Sequence, residues 1–290
     1  MSDSIDTNKV VVLTGGTSGI GRIAAVELAS EGITVAVIGR NEHRGRSLQE
    51  EATSLAGDID FYQADLSSQA TVRTLAADLC DDYSRIDVLV HNAGLSANSR
   101  TETEDGLELT FAVNHLAPYL LTHELLDRLR ESSPARIVVT ASDIHRRATF
   151  DFDDLQFTND YDGLQAYSHS KLANIAFTRE LASRLSDTEV TANCFHPGFV
   201  PSTNLFRDAP FWTRFLIRGA AIIPGVGTTQ QEGARRLLRL ATDSTFAEQS
   251  GVYLTGNGIE TPSAEASKRE HAESLWEISA ELVGVDSDWP

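Results

Sequence analysis

The chain has 290 residues, 41% of them hydrophobic, which is enough for one large α/β domain with a sizeable buried core. Its net charge of −18, from 42 acidic against 24 basic residues, argues against a surface for nucleic acid or anionic membranes. Its two cysteines, Cys80 and Cys194, lie far apart without metal-ligand spacing, which argues against a disulfide framework and a zinc site.

The first predicted unit is a strand, a glycine-rich loop and a helix. Lys9 to Thr14 is an apolar, β-branched run, and a helical period follows from Ile20 to Ser30. Between them, Gly15, Gly19 and Gly21 stand where a backbone must turn tightly, approach a pyrophosphate and let the helix pack on the strand. This arrangement predicts dinucleotide binding, with phosphate at the N-terminus of the helix.

The second predicted strand, Ile33 to Ile38, is followed by residues that indicate the cofactor. An NAD site would carry an acid there to bind the adenine ribose, but this chain has Gly39 and Arg40. An arginine can bind a 2′-phosphate with two N–H groups, so the pattern favours NADP(H) over NAD(H). Other basic residues nearby have an alternative as helix-surface partners of acids: Arg44 and Arg46, with Glu50 or Glu51.

The third and fourth predicted strands also lead into polar residues. Phe61 to Leu66 carries Asp65, which either accepts a hydrogen bond from the adenine amine or caps the following helix. Asp87 to His91 is followed directly by the small-residue turn Asn92-Ala93-Gly94. A turn at the carboxyl end of a central strand lines the cofactor cleft.

Two further polar residues stand where strand and helix patterns meet. Glu104 to Arg130 is predicted to be mostly helical, and Asn114 lies in an apolar part of it, where its amide must find partners or serve as a capping or core residue. Arg136 to Thr140 is the fifth strand, and Ser142 follows it.

A helix predicted from about Leu164 to Leu185 carries Tyr167 and Lys171. Four residues apart, they share one helix face about 6 Å apart along the axis. A positive neighbour favours phenolate, so Lys171 would lower the pKa of Tyr167 from its usual value of about 10 toward the range of a general acid or base. The alternative is an ordinary pair on a helix face.

The sixth strand, Glu189 to Phe195, completes a regular alternation of strands and helices. It predicts an α/β fold, a Rossmann-type doubly wound parallel sheet of about seven strands with helices on both faces. No linker interrupts the pattern, so residues 1–290 are expected to form a single domain.

Together these motifs resemble the short-chain dehydrogenase/reductase family over nearly the whole chain, above all in the T-G-x-x-x-G-x-G loop from Thr14 to Gly21. Within that family, Tyr167 to Asn174 is similar to retinol dehydrogenases, and Pro197 to Arg207 to protochlorophyllide reductases, groups that prefer NADP. The resemblance implies a catalytic tetrad of Asn114, Ser142, Tyr167 and Lys171. It implies these cofactor contacts: Gly15, Thr17, Ser18, Gly19, Ile20, Gly21, Arg40, Asp65, Leu66, Asn92, Ala93, Gly94, Tyr167, Lys171, Pro197, Gly198 and Thr203.

The sequence departs from the family pattern at three places. His91 replaces the first asparagine of the usual N-N-A-G turn, and Ala141 precedes Ser142 in place of a second serine. Thr203 stands one residue later than usual, with Ser202 at the expected position, so either hydroxyl could meet the nicotinamide carboxamide.

The implied reaction is hydride transfer between nicotinamide and a carbonyl or alcohol carbon, with Tyr167 as the general acid or base. Lys171 would lower the pKa of Tyr167 and hold the nicotinamide ribose, Ser142 would bind the reacting oxygen, and Asn114 would order a water that links Lys171 to solvent. The alternative from another class is a non-catalytic NADP-binding sensor or scaffold on the same fold. An epimerase or dehydratase is disfavoured by the spacing of Gly15, Gly19 and Gly21.

The segment at about 199–224 is unusually rich in apolar residues, including Phe199, Phe211 and Trp212. A connection that leaves the carboxyl end of a strand overhangs the cleft in such folds, so we expect a lid over a hydrophobic substrate. The competing interpretations are a contact in a homodimer or homotetramer and an amphipathic patch on a membrane.

The chain is expected to be cytoplasmic and without a membrane anchor, because it opens without a signal-peptide pattern and contains no run of 18 or more apolar residues. Its acidity resembles that of proteins from a high-salt cytoplasm, where salt screens the repulsion between carboxylates. The alternative is an ordinary acidic protein.

Overall fold

The computed structural model describes residues 9–200 and 227–290, which form eight strands of one sheet. The strands are β1 (Val10–Thr14), β2 (Thr34–Gly39), β3 (Ile59–Gln63), β4 (Val88–His91), β5 (Ala135–Thr140), β6 (Val190–Phe195), β7 (Tyr253–Thr255) and β8 (Gly258–Glu260). Their order across the sheet is β3-β2-β1-β4-β5-β6-β7-β8, and every neighbouring pair is parallel except the last. The predicted doubly wound parallel sheet is confirmed.

The strand order reverses between β1 and β4. Val12 of β1 pairs with Ala36 of β2 on one side and with Leu89 of β4 on the other. The chain therefore moves outward to β3, returns to the centre and then moves outward in the other direction. This reversal leaves a crevice at the carboxyl ends of β1 and β4, where ligands bind in open α/β sheets.

The central strands are buried on both faces, because helices cover both sides of the sheet. All five residues of β1 are buried, and they alternate between two cores: Val12 belongs to one, Val11 and Leu13 to the other. Alternation of this kind follows from the two-residue period of a strand. It explains why β1 reads as a continuous apolar run.

The helices among the described residues are α1 (Gly19–Ser30), α2 (Glu42–Ala52), α3 (Gln69–Asp82), α4 (Leu109–Phe111), α5 (Ala117–Glu131), α6 (Gly163–Arg184), α7 (Gln230–Thr242) and α8 (Arg269–Val283). A π-helical turn, Ala112–Leu116, joins α4 to α5. Helix α8 packs on α6, with Trp276 stacked on Phe177 at 5.8 Å between ring centres. None of the helices described within residues 9–200 and 227–290 is long and apolar enough to span a bilayer.

Some predicted boundaries were wrong. Strand β3 ends at Gln63, so Asp65 and Leu66 lie in the loop that follows it. The helix predicted from Glu104 begins only at Leu109, because Gly106 has a φ of +76° and closes a turn with its N–H bonded to the Thr103 carbonyl at 3.0 Å. The sheet has one strand more than the seven or so expected, because β7 and β8 are three residues each, too short to show a period.

Candidate active site

The loop between β1 and α1 lies at the crevice and is shaped by close backbone contacts. Gly15 has a φ of +69°, and its N–H donates to the Ile38 carbonyl at 2.9 Å. Gly21 leaves no room for a side chain, since a Cβ there would lie 2.4 Å from the Gly15 oxygen. Ser18 is the N-cap of α1, but its side chain makes no capping hydrogen bond. The N–H groups in the first turn of α1 therefore receive no acceptor from the Ser18 side chain.

The side chains of two other residues in this loop pack against neighbouring parts of the protein. The side chain of Thr17 lies against Gly39, where a Cβ would come within 2.7 Å of its methyl carbon. Ile20 is buried in the core and packs against Gly233 of α7. Only the main chain of Ile20 is therefore suited to a phosphate contact.

The turn after β4 is bonded to the glycine loop through Thr14. The Thr14 hydroxyl accepts hydrogen bonds from the N–H groups of Asn92 (3.0 Å) and Ala93 (3.1 Å) and donates to the Val90 carbonyl at 3.2 Å. The Asn92 side chain donates to the carbonyls of Thr14 and Gly15, both at 3.3 Å. These bonds hold the two predicted cofactor loops together as one wall of the crevice.

Asn114 is fully buried in the π-helical turn, a feature that often marks functional positions in helices. Its amide NH₂ donates to the Leu95 carbonyl and to the Ser170 hydroxyl, both at 2.9 Å, and its oxygen accepts from the Leu95 N–H at 2.8 Å. Both N–H donors of the amide are thus occupied. Asn114 ties the loop after Gly94 to helix α6.

Lys171 is buried, and its ammonium group donates to the main-chain carbonyl of Thr140 at 2.9 Å. Asn174, one turn further along α6, donates to the same oxygen at 3.2 Å. Burial lowers the pKa of Lys171 to about 8. Gly94 lies beside this group, because a Cβ there would stand 3.5 Å from the lysine nitrogen.

Tyr167 lies one helical turn before Lys171, and the Ser142 hydroxyl, which follows strand β5, lies near enough to influence the pKa of its phenol. Burial raises the pKa of Tyr167, while the nearby Ser142 hydroxyl lowers it, and the net direction is upward. The sequence predicted the opposite direction from the charge of Lys171. That prediction was wrong for this structure because burial of the phenol outweighs its polar contacts, while the ammonium lies over the ring, 5.7 Å from its centre, and is bonded to Thr140.

Arg40 is exposed directly after β2, and its guanidinium makes no ion pair with another described residue. Arg44 likewise makes no ion pair with another described residue, so its expected pairing with Glu50 or Glu51 was wrong, whereas Arg46 is paired. Arg46 pairs with Glu42 at 2.6 Å, so the helix-surface interpretation holds for it with a different partner from those expected. Glu51, one of those expected partners, pairs with Arg22 instead.

Asp65 lies on the exposed loop after β3, beside the buried Leu66. Its carboxylate accepts hydrogen bonds from the N–H (3.0 Å) and hydroxyl (2.9 Å) of Ser67. The helix N-cap is Ser68, which accepts from the Thr71 N–H, so the capping alternative for Asp65 was wrong. Asp65 keeps a second carboxylate oxygen for another donor.

The turn after β6 is described as far as Val200. Gly198 has a φ of +96° and lies against Thr228, and Pro197 contacts the start of α7 at Gly233. Thr203, with most of the expected lid at 199–224, falls outside the described residues. Phe199 is 40% exposed and Leu164, at the start of α6, is 50% exposed, which is unusual for side chains of this size.

Several residues that shape this site were not predicted from the sequence. Thr14 and Asn174 are buried polar residues whose position beside a glycine loop and beside Lys171 was a usable signal. Thr140 acts through its main-chain carbonyl, which no side-chain pattern reveals. His91 stood out in the sequence only as a departure from the family's turn, but its ring is bonded to the Thr122 hydroxyl at 2.8 Å, and burial lowers its pKa to about 3.

Comparison with known proteins gives the family. The family model described as short chain dehydrogenase matches residues 9–212. Dehydrogenase/reductase SDR family member 13 of Bos taurus is 38% identical over 281 residues, covering 96% of this chain and 74% of that protein. Retinol dehydrogenase 12 of Mus musculus is also 38% identical, over 282 residues, covering 96% of this chain and 87% of that protein.

Solved structures of other proteins share the fold of this chain. The crystal structure of an uncharacterized protein from Mycobacterium Paratuberculosis superposes with a TM-score of 0.78 at 30% identity, covering 96% of this chain and 94% of that one. The RhlG/NADP active-site complex of Pseudomonas aeruginosa superposes with a TM-score of 0.71 at 25% identity, covering 92% of this chain and all of that one, 100%. The arrangement of the sheet is therefore shared with proteins of this family.

Proposed function

The chain belongs to the short-chain dehydrogenase family of oxidoreductases, and within it we propose that the protein uses NADP(H) to reduce the carbonyl group of an apolar substrate, or to oxidise the corresponding alcohol. One observation carries this proposal. A buried tyrosine lies one helical turn from a buried lysine and near the hydroxyl of Ser142, which follows the carboxyl end of β5.

The residues around the crevice suit NADP(H). Gly15 and Gly21 let the main chain approach a pyrophosphate, and the first turn of α1 can bind its charge. Arg40 offers an exposed guanidinium after β2, without an ion pair to any residue that the structure describes, where a 2′-phosphate would lie. Asp65 retains an acceptor for the adenine amine. When bound, the nicotinamide supplies or accepts the hydride.

Tyr167 is the proposed proton donor to the carbonyl oxygen. Burial raises its pKa, so the phenol is protonated at neutral pH, as a proton donor must be. Ser142 lies near Tyr167 and would bind the same oxygen. Lys171, whose ammonium lies beside Gly94, would hold the ribose hydroxyls.

The substrate is proposed to be apolar. Leu164 lies three residues before Tyr167 on α6, Phe199 follows the turn at Pro197, and both expose large apolar side chains that an apolar substrate could cover. Relatives named retinol dehydrogenases make a long apolar aldehyde or alcohol a suitable first test. A lid at 199–224, a homo-oligomer and a cytoplasmic location stay predictions from the sequence.

The test is a panel of carbonyl compounds and alcohols, with retinaldehyde, long-chain aldehydes and small ketones, assayed with NADPH and NADH. We expect turnover of apolar carbonyls with NADPH, and its loss in Tyr167→Phe. Tight NADPH binding without turnover of any compound in either direction would instead support the alternative, an NADP-binding sensor or scaffold.

A further inference from the structure

The peptide group that follows Ser142 is bonded to two histidines. The Ser142 carbonyl lies 2.7 Å from Nδ1 of His145, and the N–H of Asp143 donates to Nδ1 of His196 at 3.2 Å. Both polar atoms of one peptide bond are therefore bonded to imidazole rings from two different elements. His145 lies in the 3₁₀ turn Asp143–Arg147, and His196 follows strand β6.

The hydrogen bonds fix the tautomer of each ring. Nε2 of His145 accepts from the N–H of Ser263 at 3.0 Å, so its proton is on Nδ1, which donates to the Ser142 carbonyl. Nδ1 of His196 accepts from Asp143, so its proton is on Nε2. The two rings are thus neutral and in opposite tautomers. Burial lowers the pKa of both, that of His196 to about 4.

Both rings are anchored to the far half of the sheet. His145 is fully buried and meets the Tyr253 ring of β7 edge-on at 5.3 Å. The main chain of His196 donates to the Leu254 carbonyl at 2.8 Å and accepts from Arg236 at 3.0 Å. The charged groups nearest these rings are Asp143 and Arg146 at His145, with Asp143, Arg236 and Glu260 at His196.

We propose that His145 and His196 are positioning residues: their rings bind the C=O and N–H of the Ser142–Asp143 peptide and thereby orient the Ser142 hydroxyl toward Tyr167. We call these two hydrogen bonds the clasp. The other bond to that hydroxyl is weak, because the Ile144 N–H lies 3.5 Å from it, at the limit of a hydrogen bond. Fixing the peptide fixes the backbone from which the hydroxyl projects. This inference rests on the proposed role of Ser142 in the reaction.

The clasp is tested first without any substrate. In protein labelled with ¹⁵N-histidine, two-bond nitrogen–proton spectra at neutral pH distinguish the two tautomers of each ring. We expect a proton on Nδ1 of His145 and on Nε2 of His196. The reverse assignment, a charged ring, or averaged nitrogen signals at either residue would overturn the clasp, whatever the protein catalyses.

The positioning role is tested with variants that separate the two bonds of His145. His145→Asn keeps a donor near the position of Nδ1, whereas His145→Gln reaches the position of Nε2 and loses the bond to Ser142. Assayed with NADPH and the panel carbonyl that the wild type reduces fastest, His145→Gln should lower kcat about 10-fold, the effect of one lost hydrogen bond, with KM for NADPH unchanged. His145→Asn should restore most of that loss.

The same substitutions in a Ser142→Ala background show whether His145 acts through Ser142. We expect His145→Gln to cause no further loss there, because coupled residues are not additive. An equal loss in both backgrounds, or no loss in either, would overturn the positioning role. If Ser142→Ala itself has wild-type activity, the assignment of Ser142 fails, while the nitrogen spectra still decide the clasp.

Discussion

The ammonium nitrogen of Lys171 lies over the ring of Tyr167, 5.7 Å from its centre, while its hydrogen bond goes to the Thr140 carbonyl. A cation over a ring face is attracted by the electrons of the ring. This contact stabilises the ammonium without placing it at the phenol oxygen. Burial nevertheless raises the pKa of the phenol and lowers that of the ammonium.

The phenol of Tyr167 is expected to account for most of the turnover. Tyr167→Phe keeps the buried ring, so the variant should fold and bind NADPH, but kcat should fall by about 10²- to 10⁴-fold, the usual worth of general acid–base catalysis. Steady-state kinetics and NADPH fluorescence titration measure the two effects separately. Turnover close to that of the wild type would remove Tyr167 from the mechanism.

Lys171 should make stability depend on pH in the alkaline range. Its pKa is about 8 in the folded protein and near 10.5 when unfolded, so between these values the unfolded chain holds a proton that the folded protein has released. The unfolded state then binds more protons, and stability rises with pH, by at most about 1.4 kcal/mol per pH unit.

The measurement compares the wild type with Lys171→Met, without cofactor, by urea unfolding across pH 8 to 10.5. Other titrating groups cancel in the difference between the two proteins. The unfolding free energy of the wild type should rise relative to that of the variant over this window. A constant difference would mean that Lys171 titrates normally.

Some residues of the candidate site could be predicted from the sequence, because their function needs a particular residue type at a fixed distance along the chain. The glycines from Gly15 to Gly21 and the pair Tyr167 and Lys171 are of this kind, since loop geometry and the helical period act within one short segment. The parallel sheet was predictable for a related reason, because strands buried on both faces carry a continuous apolar run.

What could not be predicted depends on atoms that meet only in three dimensions. The Thr140 carbonyl lies 31 residues before Lys171, and no pattern marks a main-chain acceptor. The direction of the Tyr167 pKa depended on burial outweighing its polar contacts. The late start of α4 depended on one turn at Gly106, inside a stretch whose apolar period is helical.

Salt should stabilise the protein if its net charge of −18 is an adaptation to high ionic strength. Screening shortens the range of repulsion from about 30 Å at low ionic strength to about 3 Å in molar salt. Melting temperature should therefore rise markedly from dilute buffer to molar KCl. A flat or falling melting temperature would show that the charge has no such role.

Arg40 should control the choice of cofactor. Arg40→Ala is expected to weaken NADPH binding by about 10- to 100-fold, the worth of one hydrogen bond to a charged group, and NADH binding far less, because only NADPH carries the 2′-phosphate. Arg46→Ala is the matched control, since Arg46 belongs to the same basic stretch but is paired with Glu42. The measurement is the dissociation constant of each cofactor for both variants. If Arg40→Ala weakens NADPH and NADH binding equally, or if Arg46→Ala weakens NADPH binding as much as Arg40→Ala does, Arg40 does not bind the 2′-phosphate.

Leu164 and Phe199 should determine the preference for apolar substrates. Each exposes a large apolar side chain, Leu164 on the helix that carries Tyr167 and Phe199 after the turn at Pro197, so Leu164→Ser and Phe199→Ser should remove apolar contact area from a substrate without altering Tyr167. Burying apolar surface is worth roughly 25 cal/mol per Å², so KM for long apolar carbonyls should rise about 5- to 30-fold while KM for small ketones and NADPH changes little. Ile259→Ser is the matched control, because Ile259 is 53% exposed but lies on β8 at the edge of the sheet. If the control raises KM as much as the two test variants, or if long and small carbonyls are affected alike, these side chains do not contact the substrate.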